Sequence, residues 1–67
     1  MYALDIHSDS PAHTLAHAAD LLRCAAATAY ESADYLSGLK RDLALSVVHL
    51  IEMARGVVEK SLDKLEA

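Results

Sequence analysis

Four potential metal ligands follow one edge of the first predicted helix. His13 and His17 are four residues apart, and Asp20 and Cys24 continue the same edge. Imidazole, carboxylate and thiolate groups are common zinc ligands, and histidines at this spacing can share one ion. Cys24 would stand about 16 Å along the helix from His13, so the four cannot close a tetrahedral site. We expect a solvated polar face and no cofactor, with His13, His17 and Asp20 as the metal candidates.

A catalytic reading of the chain centres on His49. Its imidazole could act as a general base, and Ser46 precedes it by three residues. On a regular helix, however, that serine has no oxyanion donors beside it and no third group to orient the base. A mid-helix histidine at the boundary between core and surface, or at an interface, fits the pattern better. We therefore predict no catalytic residues and a protein that is not an enzyme.

Length, charge and cysteine content exclude several classes of protein. The 67 residues allow one domain, 1–67, and the ten acidic against six scattered basic residues give a net charge of −4, which disfavours nucleic-acid binding. The uncharged runs are far shorter than the roughly 20 apolar residues that cross a bilayer. The start of the chain carries two aspartates and no basic residue, unlike a secretory signal. With the lone Cys24, this predicts a cytoplasmic protein.

The order of residue types predicts an all-α hairpin with a short extended segment before it. Apolar residues alternate with small or polar ones over 2–7, which is typical of an extended segment. Ser10 followed by Pro11 predicts the N-cap and first residue of a helix over 11–36. Gly38 provides the stop, and a second helix is expected over 40–65. Gly56 falls inside that helix and is either a site of close contact or a tolerated surface glycine.

The apolar surface of the second helix is wider than one neighbour can cover. Its large apolar residues occupy an arc of roughly 180°, whereas the first helix offers a narrow stripe rich in alanine. A chain of this length buries only about 60% of its unfolded surface, so a monomer would be marginally stable. We therefore predict a homodimeric four-helix bundle. The predicted interface residues are Leu22, Ala26, Ala29, Leu43, Val47, Val48, Leu50, Ile51, Ala54, Val58 and Leu62.

Two functions from different classes remain open. The first is a small non-enzymatic protein–protein interaction module, an adaptor or regulator whose acidic surface suits a partner with a basic patch. The second is a bundle that binds a small ligand or a metal through His13, His17 and Asp20, with Cys24 or His49 as a further candidate ligand. Tyr35, Leu45 and Met53 lie outside the main apolar arcs, either as isolated surface hydrophobes or as part of a patch for another protein.

Two segments carry a resemblance to a known family. Residues 18–25 (AADLLRCA) and 41–55 (RDLALSVVHLIEMAR) resemble short bacterial proteins, common in pseudomonads, that are described as a domain of unknown function. The likeness covers most of the chain, although members tend to have Pro-Gly where this sequence has residues 7–10. The resemblance implies a compact helical unit and a bacterial cytoplasmic setting. It carries no activity and no site residue onto this chain.

Overall fold

The computed structural model describes residues 10–66, which form two packed helices. Helix α1 is Pro11–Ala33 and helix α2 is Gly38–Glu66, and the described part of the chain has no strand. The two helices pack along their length as a hairpin. The prediction of an all-α hairpin is confirmed. The extended segment predicted for 2–7 lies outside the described residues.

Helix α1 begins as the sequence predicts. Ser10 has an extended backbone (φ −64°, ψ 145°), and its hydroxyl accepts a hydrogen bond from the His13 amide at 3.0 Å. The Ser10 carbonyl oxygen accepts from the Thr14 amide, also at 3.0 Å, as the first bond of the helix. Pro11 occupies the first turn, where its missing N–H leaves no partner unsatisfied. The cap and the proline together fix the start of the helix.

The end of α1 and the start of α2 both differ from the prediction. Helix α1 ends at Ala33 rather than at residue 36, because the next amides turn back more tightly. The Asp34 and Leu36 amides donate to carbonyl oxygens three residues earlier, at 3.1 and 3.0 Å, as in a 3₁₀ turn. Gly38 has a φ of +61°, which the absence of a side chain permits, and α2 begins there. Helix α2 continues to Glu66, one residue beyond the prediction.

Each helix presents one continuous row of half-buried or buried residues to the other, which we call its inner seam. The positions are spaced alternately three and four residues apart, as in helices packed at a shallow angle. The inner seam of α1 consists of Ala12, Leu15, Ala19, Leu22, Ala26, Ala29 and Ala33. The inner seam of α2 consists of Arg41, Ala44, Val48, Ile51, Arg55, Val58 and Leu62.

A contact near the loop sets the register of the two inner seams. The Arg41 guanidinium donates to the Ala33 carbonyl oxygen at 3.0 Å. Because both helices rise about 1.5 Å per residue, Ala26 then lies level with Val48, and Ala19 with Arg55. At these two levels a small residue on α1 meets a larger one on α2. Ala19, Ala26 and Ala33 are buried, and no larger side chain within 10–66 is.

Gly56 is not a site of close contact. A methyl group built on its backbone would have no heavy atom within 4 Å. Of the two interpretations offered by the sequence, the structure favours a tolerated surface glycine. Its cost to the helix is therefore not offset by packing.

Candidate functional site

The predicted metal ligands do not form a site. His13, His17, Asp20 and Cys24 are all exposed on α1, and the Asp20 carboxylate accepts a hydrogen bond from Arg23 at 3.1 Å. Among residues 10–66, no three histidine, cysteine or acidic side chains are grouped so that they could hold an ion. The carboxylate is engaged in a surface ion pair instead.

His49 also lies exposed on the surface of α2, and the Ser46 hydroxyl is directed elsewhere. That hydroxyl donates to the Asp42 carbonyl oxygen of its own helix at 3.0 Å. A serine bonded in this way to the preceding turn is a common helical arrangement. The described residues offer this serine no activating base.

The largest uncovered apolar surface follows a second row on α2, which we call its outer seam. Each position of this row comes one residue before a position of the inner seam, so it lies about 100° around the helix. Three of its large members are more than half exposed: Leu43 is 60% exposed, Leu50 63% and Val57 67%. The outer seam consists of Leu43, Val47, Leu50, Ala54, Val57 and Ser61, and all six are exposed.

Helix α1 has a matching outer seam made mostly of small residues. It consists of Thr14, Ala18, Leu21, Ala25, Thr28 and Ser32, again one residue before the inner seam. The Thr28 hydroxyl donates to the Cys24 carbonyl oxygen at 3.0 Å, and the Ser32 hydroxyl donates to the Thr28 carbonyl oxygen at 2.9 Å. These hydroxyls already have partners within their own helix. Burying them against an apolar surface would therefore leave no donor unpaired.

The two outer seams lie on the same side of the hairpin. In each helix the outer seam is reached from the inner seam by turning in the same sense, and the helices run in opposite directions. Viewed from one end, the two rotations are therefore mirror images and bring both rows to one side. We call this surface the uncharged face, because none of its twelve members carries a charge. Lys40 and Lys64 bound it at the two ends of α2.

The opposite side of the hairpin is charged. Positions one residue after the inner seams include the acidic residues Asp20, Asp34, Asp42, Glu52, Glu59 and Asp63. Arg55 reaches this side from the inner seam, with one guanidinium nitrogen 2.7 Å from Glu52 and another 3.8 Å from Glu59. Arg23 pairs there with Asp20. The hairpin thus separates an ionic side, the charged face, from the uncharged face.

The predicted interface residues are divided between two surfaces. One part lies on the inner seams: Leu22, Ala26, Ala29, Val48, Ile51, Val58 and Leu62. The other part lies on the uncharged face: Leu43, Val47, Leu50 and Ala54. The first group already contacts the other helix of the hairpin, so only the second is free to meet another molecule. Leu21 and Val57 also belong to the uncharged face, although they were not among the predicted interface residues.

Three hydrophobic residues outside the main arcs have different surroundings. Tyr35 in the loop is 89% exposed and Met53 is 56% exposed, whereas Leu45 is half-buried. None of the three belongs to the uncharged face. Met53 lies three residues after Leu50 and four before Val57, so it borders the uncharged face, whereas Tyr35 and Leu45 lie apart from it.

A family model matches nearly the whole of this hairpin. The model describes a family of unknown function, DUF6124, and it matches residues 5–64. The chain belongs to DUF6124. The matched range includes all of α1 and extends along α2 to two residues before its end in this DUF6124 protein. No curated protein and no solved structure matches the chain.

Neither helix of this DUF6124 protein fits a membrane span. Over residues 10–66, no helical stretch combines the length and the apolar character that crossing a bilayer requires.

Proposed function

We propose that this DUF6124 protein is a small non-enzymatic protein–protein interaction module that acts as a homodimer. The observation that carries the proposal is the uncharged face, which is two helices wide and contains large apolar side chains without cover. Leu50 lies at its centre and is 63% exposed. Exposed apolar surfaces of this kind typically mark sites of protein association. Two copies meeting through this face form a four-helix bundle.

Self-association explains why the two sides of the hairpin differ so strongly from each other in charge. An apolar surface gains free energy when a second apolar surface covers it, whereas charges buried there would lose their hydration. The absence of charge from the uncharged face favours burial of that face. The charged face then remains in solvent on both copies.

The charged face supports the second half of the proposal, an adaptor or regulator role. Its excess of carboxylates suits a protein partner that carries a basic patch, since complementary charge steers encounter. Such binding should weaken as salt concentration rises, because exposed charges are screened. In this arrangement assembly and partner binding use opposite sides of the hairpin.

The homodimer is tested by sedimentation velocity at micromolar concentration, comparing the wild type with Leu50→Asp. The aspartate would place an unpaired charge in the apolar contact and should raise the dimer dissociation constant by at least about a hundredfold. His49→Asp is the matched control, because it introduces the same residue one position earlier, outside the uncharged face. A wild-type chain that sediments as a folded monomer would overturn the proposal.

A further inference from the structure

Two copies can join through the uncharged face in two symmetric ways. If the twofold axis runs along the helices, α2 of one copy lies on α1 of the partner subunit. If the axis runs across the helices, α2 lies on α2 of the partner subunit and α1 on α1. Both give closed dimers, so symmetry alone does not choose between them.

An axis along the helices keeps every residue at its own height in the bundle. The register within the hairpin, set by the contact between Arg41 and Ala33, then also sets the register between the copies. A residue of α1 and a residue of α2 lie at the same height when their residue numbers add up to about the same sum as 33 and 41. Leu50 therefore lies level with Ala25 of the partner subunit, and Val57 with Ala18 of the partner subunit.

At four of the six levels a large aliphatic side chain meets an alanine or a serine, and at the other two the side chains are similar in size. Leu43 faces Ser32 of the partner subunit, and Val47 faces Thr28 of the partner subunit. At one level the large residue belongs to α1 and the small residue belongs to α2. Leu21 is the large aliphatic residue of the α1 outer seam, and it lies level with Ala54, the alanine among the larger residues of the α2 outer seam. Side chains in well-packed interfaces interdigitate in this way.

An axis across the helices matches the sizes less evenly. At the middle of the face it would pair Leu50 with Ala54 of the partner subunit, but it would also pair Val47 with Val57 of the partner subunit. It would join two α2 outer seams with four large aliphatic residues each and two α1 outer seams with one each. The two α2 helices would then stand further apart than the two α1 helices, whereas an axis along the helices gives both contacts between the copies the same side chains. The size pattern therefore favours the axis along the helices.

Resting on the homodimer proposed above, we infer that each α2 packs against α1 of the partner subunit, about a twofold axis parallel to the helices. The inner and outer seams of each helix are about 100° apart, close to the right angle between neighbours in a square four-helix bundle. All neighbouring helices are antiparallel. The face is about 27 Å long and about two helix diameters wide, roughly 550 Å² in projection, which is near the lower end of the size of stable interfaces.

Disulfide trapping tests the arrangement directly. Two variants are prepared in the Cys24→Ser background, one with Ala25→Cys and the other with Leu50→Cys, and are mixed under oxidised glutathione. We expect a covalent dimer between the two different variants and none from either variant alone, since cysteines bridge only when their Cα atoms are within about 7 Å. Mixing a Thr28→Cys variant with a Val47→Cys variant repeats the test at a second height of the interface.

The failure of this inference is distinguishable from the failure of the proposed homodimer. Leu50→Cys linking to itself, or no link in a mixture that sediments as a dimer, overturns the arrangement and leaves the homodimer standing. A monomeric wild-type chain in sedimentation overturns both, and the uncharged face would then belong to another kind of partner.

A size-swap measurement gives an independent readout. Ala54→Leu places leucine against Leu21 of the partner subunit and should raise the dimer dissociation constant about tenfold or more through overpacking. Adding Leu21→Ala should restore the wild-type constant. Both positions are exposed in the hairpin, so its own packing is preserved. If Ala54→Leu does not weaken association, or Leu21→Ala fails to rescue it, the arrangement is wrong.

A pair of exposed alanines on α1 supplies the matched control. Ala25→Leu lies on the uncharged face opposite Leu50 of the partner subunit, and Ala27→Leu lies two residues on, outside that face. Only Ala25→Leu should weaken the dimer. Equal effects of the two substitutions would contradict the inferred contact.

Discussion

The guanidinium of Arg41 donates a hydrogen bond to the backbone carbonyl oxygen of Ala33, with 3.0 Å between the two atoms. Ala33 is the last residue of α1 and is fully buried. That carbonyl oxygen already accepts a hydrogen bond from the Leu36 amide at 3.0 Å, so the guanidinium from α2 is its second donor. The same arginine lies 3.5 Å from the Asp34 carboxylate. The contact therefore caps one helix and fixes the start of the other.

Replacing Arg41 with methionine should destabilise the hairpin while preserving most of the packing of its stem. We expect a loss of about 1–2 kcal/mol in the free energy of unfolding, because a charge-assisted hydrogen bond to a part-buried carbonyl is lost. Urea denaturation monitored by circular dichroism measures it. Lys40→Met, at the exposed neighbouring position, should change stability by less than about 0.5 kcal/mol. Equal losses in the two variants would show that the capping bond contributes nothing.

Arg55 should contribute more through its aliphatic stem than through its charge. The side chain is 31% exposed, and the ion pairs that it forms with Glu52 and Glu59 are partly solvated. Such pairs contribute about 0–1 kcal/mol, whereas the stem fills the level opposite Ala19. Arg55→Met should therefore be nearly neutral, and Arg55→Ala should lower the free energy of unfolding by about 1 kcal/mol. A methionine variant as unstable as the alanine variant would instead assign the stabilisation to the charges.

The two glycines should respond to alanine in opposite directions. Gly56→Ala fills open space in the middle of a helix and should raise the free energy of unfolding by about 1 kcal/mol. Gly38→Ala forces a side chain into the φ of +61° and should lower it by about 1–2 kcal/mol. Thermal melts of the two variants beside the wild type measure both shifts. A melting temperature lowered by Gly56→Ala would mean that this position contacts something in the assembled protein.

Zinc should not bind at micromolar concentration. Asp20 is paired with Arg23, and no group of three suitable ligands occurs among residues 10–66. Isothermal calorimetry with the wild type and with His17→Ala should give the same featureless trace. Heat in the wild type that disappears in His17→Ala would support the metal-binding alternative instead.

The sequence predicts the start of α1 better than its end. Ser10 and Pro11 act within one helical turn, so their residue types alone determine the cap. The end lies where the amides after Ala33 form a tight turn and Arg41 approaches from the next helix, although Leu36 continues the seven-residue spacing beyond that point. A local pattern cannot reveal a partner that the fold brings from another helix. The predicted boundary was therefore three residues too long.

The sequence also predicts a wide apolar surface on α2 but does not divide it correctly. Angles around one isolated helix place Val48 and Leu50 in the same broad arc. The structure separates them, with Val48 half-buried against α1 and Leu50 exposed. That separation depends on which way the helix is turned toward its neighbour. The match between Leu21 and Ala54 likewise appears only once the register of the hairpin is known.

The small size of the buried side chains has a consequence for the life of this protein in a cell. Within residues 10–66 only alanines are buried in the hairpin, so a solitary chain gains little free energy from collapsing. If the remaining gain comes from a second copy, mass action makes the folded fraction rise with total chain concentration. The expression level of the protein would then determine what fraction of its chains is folded. Scarce chains would be cleared by proteases, and abundant chains would protect one another.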